Sequence, residues 1–350
     1  MIRQCIVAFV AVVASSVVGI GISAQHPQSV PIISTEAPDG WEVPRLPDGR
    51  PDLQGVWAND AATPLQRPES LGDRATLTDA ELAALQEHAA AVVGAADDAI
   101  FGDNLFRKAL ASVEGQPPDP RYPFYSYGQQ WLGHRWLDNR TSLVIDPPNG
   151  RLPPRTPEAD ERAARQRAAR RAGPPDRPET VAEELDRLDP GVRCRGGRPL
   201  LSGRGYNSNY QIFQTPDYVA IQLEMHHETR LIPVGETVPD RTGPPSVMGS
   251  SRGRWEGDVF VVETANLLRG VEGATRDVRV TERFSRVGPE TLQYDYTIDD
   301  PSTWTRPWTA RVFLRPAPGT GVIYEYACHE GNYAAELSLV STRAAEAREQ

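Results

Sequence analysis

From Gly205 onward the chain breaks into short runs of alternating character, each ended by turn residues. Such runs bury one face apiece only by pairing antiparallel and curling over. The candidate strands are Tyr210 to Thr215, Tyr218 to His226, Val259 to Thr264, Val278 to Val287, Thr291 to Ile298, Thr309 to Arg315 and Val322 to His329. "LQYDYTI" is the clearest: Leu292, Tyr294, Tyr296 and Ile298 share one face, and Gln293, Asp295 and Thr297 the other. "WEGD" ahead of Val259 and "VGPE" ahead of Thr291 carry hairpin chemistry. No internal repeat of propeller or solenoid length is present. The expected fold is mainly β, an antiparallel barrel or strongly curved sheet over residues 191–350, with an open sandwich as the alternative.

Upstream, residues 1–24 read as a secretory signal: Arg3 leads an apolar core from Ile6 to Ile20, and Ser23 and Ala24 supply the small residues of a cleavage site. A retained anchor is the other reading, but Ser15, Ser16 and Gly19 interrupt the run and no basic cluster follows it. Residues 25–52 are a proline-rich extended leader. Residues 53–152 hold a first strand and a helical segment expected to pack on the barrel. Thr78 and Glu81 open its helix as a capping box, and Leu82, Leu85 and Ala89 repeat at helical spacing. Residues 153–190, rich in Ala, Arg, Glu and Pro, predict two short helices or a mobile arm inserted before the main strands. Acidic neighbours make the arginines from Arg162 to Arg171 a solvated helix face rather than a nucleic-acid patch.

Loss of the signal removes Cys5 and leaves Cys194 and Cys328, which in an oxidising compartment predict one disulfide. The rival reading makes Cys328 a nucleophile with His329 as base, but adjacent strand residues point to opposite faces. A net charge of −10 argues against nucleic acid or anionic membrane as partner. Lys108 is the only lysine, so Schiff-base or pyridoxal phosphate chemistry would have to use it; "FRKAL" around it reads as an ordinary helical turn. "GSSRG" at Gly249 to Gly253 has the Gly-x-Ser-x-Gly spacing but lacks the strand-to-helix context of a nucleophile elbow, no helix-opening dinucleotide motif is present, and no cofactor is expected.

Two Gly-x-Trp triplets, Gly55 to Trp57 and Gly253 to Trp255, are similar to the triplet that opens the first strand of lipocalin-like barrels, where the tryptophan plugs one end. The chain also resembles a large set of exported bacterial proteins. The matching stretches are "PDLxGxW" at Pro51 to Trp57, "GRWEGD" at Gly253 to Asp258 and "YACHEGNY" at Tyr326 to Tyr333, with further likeness from Arg140, Tyr206 and Thr305. This resemblance implies export and a shared fold but carries over no activity. Within it, "EMHHETR" matches the group's Glu-Met-x-His-acid-x-Arg pattern at Glu224, Met225, His227, Glu228 and Arg230, with His226 in the variable slot.

On a continuous strand, Val219, Ile221, Leu223, Met225 and His227 would share an apolar face, while Gln222, Glu224, His226, Glu228 and Arg230 share the other. Two classes of function follow. In the first, the exported barrel binds a small apolar or aromatic molecule against Trp131, Trp136, Tyr294, Tyr296 and Tyr324, with Asn207 and Asn209 as polar contacts. In the second, a cofactor-independent isomerase, lyase or hydratase uses a catalytic histidine and carboxylate from His227, Glu228, His329 and Glu330, and Arg230 holds an anionic group. Cys328 is read as a structural staple, with His329 and Glu330 facing the ligand at a rim. A zinc site would need one histidine from each stretch to converge with a carboxylate; the spacing does not supply a metal motif and none is assigned.

Overall fold

The computed structural model describes residues 30–95, 100, 102–116, 135–172, 180–188, 191–194, 196–203, 206–235, 239, 242–319 and 321–349. The signal segment, Trp131 and His134 lie outside them. Ten strands pair antiparallel in one sheet: β1 (Gly55–Ala58), β2 (Val144–Asp146), β3 (Asn209–Gln214), β4 (Tyr218–Leu223), β5 (Thr229–Pro233), β6 (Ser250–Glu256), β7 (Val259–Ala265), β8 (Arg279–Gly288), β9 (Thr291–Asp299) and β10 (Trp308–Pro316). The order across the sheet is β5-β4-β3-β1-β10-β9-β8-β7-β6, and β2 adds to β10. Helices α1 (Asp79–Ala95), α2 (Asn104–Val113), α3 (Pro157–Ala172), α4 (Val181–Arg187) and α5 (Tyr333–Glu349) accompany it.

The inner face follows the expected alternation: Leu292, Tyr294, Tyr296 and Ile298 of β9 are buried with Val280 and Phe284 of β8 and Val312 and Leu314 of β10. The same core takes in Ile212, Val219, Ile221 and Ile232 from the strands at the far side of the sheet order. Residues from β5 and from β6 to β9 therefore share one interior, although β5 and β6 are the two edges. Among the described residues these edges are not joined by a ladder; they touch where Val234 bridges Gly253, and the Gly235 N–H donates to the Gly253 carbonyl at 2.8 Å. A methyl on Gly253 would stand 2.2 Å from the Phe260 ring and 3.1 Å from Ile232, so this approach needs glycine.

One end is filled by Trp57. Its indole N–H donates to the Leu53 carbonyl at 3.0 Å, and the Arg286 guanidinium lies 5.0 Å over the ring while bonding the Asp52 carbonyl. A second core lies outside the sheet, where Leu82, Leu85 and Val93 of α1 meet Leu105, Phe106 and Leu110 of α2. The capping box is formed: Glu81 accepts from the Thr78 N–H at 2.9 Å, and the Glu81 N–H donates to the Thr78 hydroxyl at 3.3 Å.

Two strand expectations are corrected. The run from Tyr218 does not continue to His226. It ends at Leu223, turns through Met225–His227 with positive φ at His226 and His227, and returns as β5. The turn resets parity, so Ile221 pairs with Arg230 and Arg230 faces inward with the apolar set instead of outward with Gln222. Residues 322–329 form no strand; they run along the outside and turn at Cys328–Gly331 before α5. The disulfide between Cys194 and Cys328 ties this segment down across 134 residues of sequence. Such a closure is worth up to about 5 kcal/mol in the chain-entropy account.

Arg230 is 2% exposed and Glu282 on β8 is fully buried. The guanidinium bonds both carboxylate oxygens, at 3.0 and 2.5 Å, and donates further to Ser251, Thr264 and the Pro199 carbonyl. The Tyr294 hydroxyl also donates to Glu282, at 2.8 Å. Removing one member leaves a buried charge without its counterion, which costs about 3–5 kcal/mol. Arg230→Met and Glu282→Gln should each lower stability in urea unfolding by that amount, whereas a matched apolar pair, Arg230→Met with Glu282→Leu, should recover most of the loss.

Candidate functional site

Opposite the Trp57 end, the segment Pro199-Leu200-Leu201 enters the mouth of the curved sheet. Leu200 and Leu201 are buried in the strand core. Their backbone is held from three sides: the Pro199 carbonyl accepts from Arg230, the Leu201 N–H donates to the Tyr294 hydroxyl, and the Asn59 amide donates to the Leu201 carbonyl at 2.6 Å. The plug packs too closely for side chains at its start. A methyl on Gly196 would lie 2.4 Å from the His226 ring, and one on Gly197 would lie 1.6 Å from the Glu228 carboxylate.

Around the plug lie three adjoining clefts. The largest, about 480 Å³, is walled by Gly191, Arg193, Gly196–Arg198, His226, Val247 and Leu268–Glu272. A second, about 200 Å³, shares Gly196, Gly197, Arg198 and His226 with it and extends to Asn207 and Tyr210. A third, about 300 Å³, lies beside Asn59, Gly203 and Glu272 and reaches Tyr296. The interior of the curved sheet is filled by side chains, and these clefts lie at its mouth.

The main cleft carries three guanidiniums, Arg193, Arg198 and Arg269, against the carboxylate of Glu272. Arg198 stands 3.8 Å from Glu272. The Nε of Arg193 is buried and has no hydrogen-bond partner among the described residues. In a chain of net charge −10 this is a local reversal of sign, suited to an anionic group. His226 sits where the first two clefts meet, and the Tyr326 ring packs on it at 5.2 Å. The "YACHEGNY" stretch therefore reaches the cleft region through its first tyrosine.

The residues expected to form a site are dispersed. His227 is exposed, with Nε2 at 2.9 Å from the Gln222 side chain. His329 and Glu330 are exposed on the turn before α5, and Glu228 packs on Gly197; none of these four lines the three clefts. Arg230 does not present a charge to a ligand, because Glu282 and neighbouring oxygens take its donors. Tyr294 is likewise a core residue with its hydroxyl engaged, and Trp136 is buried and lines none of the three clefts, although its backbone bridges Ala61 at the border of the third. Tyr296 is buried but borders the third cleft, and Tyr324 is 68% exposed and outside all three. Asn207 lines the second cleft, while Asn209 bonds Glu224. Trp131 lies outside the described residues. Among the described residues, no group of three or more His, Cys, Asp or Glu is placed to hold a metal ion.

Asp60, just beyond β1, gave no sequence signal. It is 4% exposed. Burial is the main cause that raises its pKa to about 7; Arg135 opposes the shift and the Glu224 charge adds to it. Glu224 itself is raised by burial, partly offset by hydrogen bonds from Asn209. Tyr210, which lines the second cleft, is pushed upward by burial and by the Asp60 charge.

Comparison with models of known protein families gives no match, and comparison with curated protein sequences gives none either.

The raised carboxyl makes a pH prediction. Below the ordinary value of 3.8, Asp60 is protonated whether folded or unfolded. Between there and about 7 the unfolded chain has released the proton and the folded chain still holds it, so Asp60 costs stability increasingly as pH rises. Asp60→Asn should change stability little near pH 4 and raise it near pH 8 by up to about 4 kcal/mol, measured by urea unfolding at both values.

Proposed function

We propose that this is an exported binding protein whose ligand is a small molecule carrying a carboxylate or phosphate, held at the barrel mouth. The observation that carries this reading is the main cleft, which gathers three arginines against one carboxylate in a chain of net charge −10. Val247, Leu268 and Val271 line the same cleft and suit an apolar body attached to the acid. Guanidinium groups favour planar, bidentate acceptors, which fits a carboxylate or phosphate better than a neutral polar group.

The apolar or aromatic ligand expected from sequence is thereby given an acidic end and a different location. Export rests on the signal-like segment and agrees with a disulfide between the two cysteines that remain after cleavage. Among the described residues no helix is long and apolar enough to cross a membrane. The lipocalin-like reading of the sheet is supported by Trp57 under Arg286 at the closed end.

A second reading, cofactor-independent acid-base catalysis, is favoured by one observation. Asp60 titrates near neutrality beside clefts lined by its chain neighbours Asn59 and Ala61. In that case Asp60, rather than His227 or His329, is the proton carrier.

The test is a thermal-shift screen of small carboxylic acids and phosphate esters paired with their neutral amides and alcohols. Binding at about 100 times Kd adds about 2.7 kcal/mol of stability. The acids should raise the melting temperature by several degrees, and Arg193→Ala and Arg198→Ala should abolish that response. Equal shifts from the neutral analogues, or an undiminished response in both variants, would remove this assignment.

A further inference from the structure

Helix α5 carries Tyr333, Leu337, Val340, Ala344 and Ala347, an apolar series spaced 4-3-4-3 along the chain. That is the repeat of a coiled-coil seam, in which one stripe of a helix meets another helix. Here the stripe faces solvent: Tyr333, Leu337 and Val340 are 66%, 63% and 57% exposed, and both alanines are exposed too. The opposite face is already occupied. Thr342 is buried, Ser338 bonds Glu184 of α4, and the Glu346 carboxylate accepts the Val181 N–H at 2.8 Å at the start of α4. The disulfide at Cys328 and the bond from Asn332 to the Val192 carbonyl hold the entry to the helix. An isolated helix of this length is marginal, but this one is built before any partner arrives, so its apolar stripe is preorganised.

We propose that this stripe is a self-association surface, pairing α5 of one molecule with α5 of a second copy in antiparallel orientation. The flanking charges choose both partner and direction. Glu336 and Arg343 flank the seam on one side, and Ala334, Ser341 and Arg348 flank it on the other. A parallel pair would set Arg343 against the partner's Arg348. An antiparallel pair centred between Leu337 and Val340 sets Glu336 against the partner's Arg343, and two-fold symmetry makes that ion pair twice. The same layering packs Leu337 on the partner's Val340 and Tyr333 on the partner's Ala344, large against small. A membrane surface is a poorer match, because α5 holds Glu336, Glu346 and Glu349 against Arg343 and Arg348 and has no basic polar face. Seventeen residues make a helix about 25 Å long, and a seam of that length is small beside an interface of about 1,600 Å², so the dimer should be dilutable.

Sedimentation velocity of the full exported chain, up to about 100 µM, should show a monomer-dimer equilibrium with micromolar dissociation. Leu337→Glu should weaken it by at least about tenfold while leaving the melting temperature unchanged, since the position is exposed. Glu336→Arg should also weaken it, and adding Arg343→Glu to that variant should restore it. A monomer at every concentration, including one that binds anionic vesicles or another protein instead, would overturn the proposal. So would a dimer indifferent to Leu337→Glu, and failure of the double charge exchange to restore association would overturn the antiparallel pairing.

Discussion

The ion pair between Arg230 and Glu282 joins parts of the sheet that the ladder does not. Arg230 comes from one edge strand, and the groups it bonds lie on β6, β7 and β8 and on the plug at Pro199. Two charges in an apolar interior are costly, and what offsets the cost is saturation: the carboxylate takes the guanidinium and the Tyr294 hydroxyl, while the guanidinium spends its remaining donors on two hydroxyls and a carbonyl. An apolar pair would fill the same space without direction. The charged pair adds a requirement that β5 approach β6 in one register, which is consistent with a role in conformational specificity where, among the described residues, the backbone contact is made at Gly253.

The same network places the candidate site. Because Arg230 and Tyr294 bond the backbone of Pro199 and Leu201, the chain that carries Arg193 to Arg198 is pinned across the mouth, and Gly196 and Gly197 let it lie flat on His226 and Glu228. The disulfide fixes the other end of that segment to the C-terminal stretch. Beside a filled interior, the braced rim gathers Arg193, Arg198 and Arg269 around one charged cleft, which is where the proposed ligand would sit.

The sheet was legible where alternation and turn chemistry coincide. β7 to β10 lie within two residues of their expected bounds because each has an apolar inner row and a hairpin signal. β6, "SSRGRWE", has no apolar row, and its inward glycine makes sense only beside Ile232 and Phe260. The turn at His226 and His227 has none of the usual turn residues, so the strand from Tyr218 reads straight through it and assigns Arg230 to the wrong face. "VIYEYACHE" alternates like a strand, yet the disulfide rather than a ladder holds it. Of the clefts, Asn207 and Tyr296 were expected, and His226 stood only in the variable slot of the resemblance. Arg193, Arg198 and Arg269 are spread over nearly eighty residues and only the fold gathers them. Nothing in "WANDAA" announces that Asp60 loses its water, since burial of a single acid leaves no periodic mark.

If the buried ion pair unites the two edges, β5 and β6 should not open independently of the rest. Native-state hydrogen exchange measures this most directly. The amides bonded within β5 and β6 should exchange with the same free energy and denaturant dependence as those of β8 and β9, reporting global unfolding, and in Glu282→Gln they should become the first to exchange. Fast, denaturant-independent exchange of β5 in the unaltered protein would contradict the account, because an edge strand that opens alone is not held by Arg230.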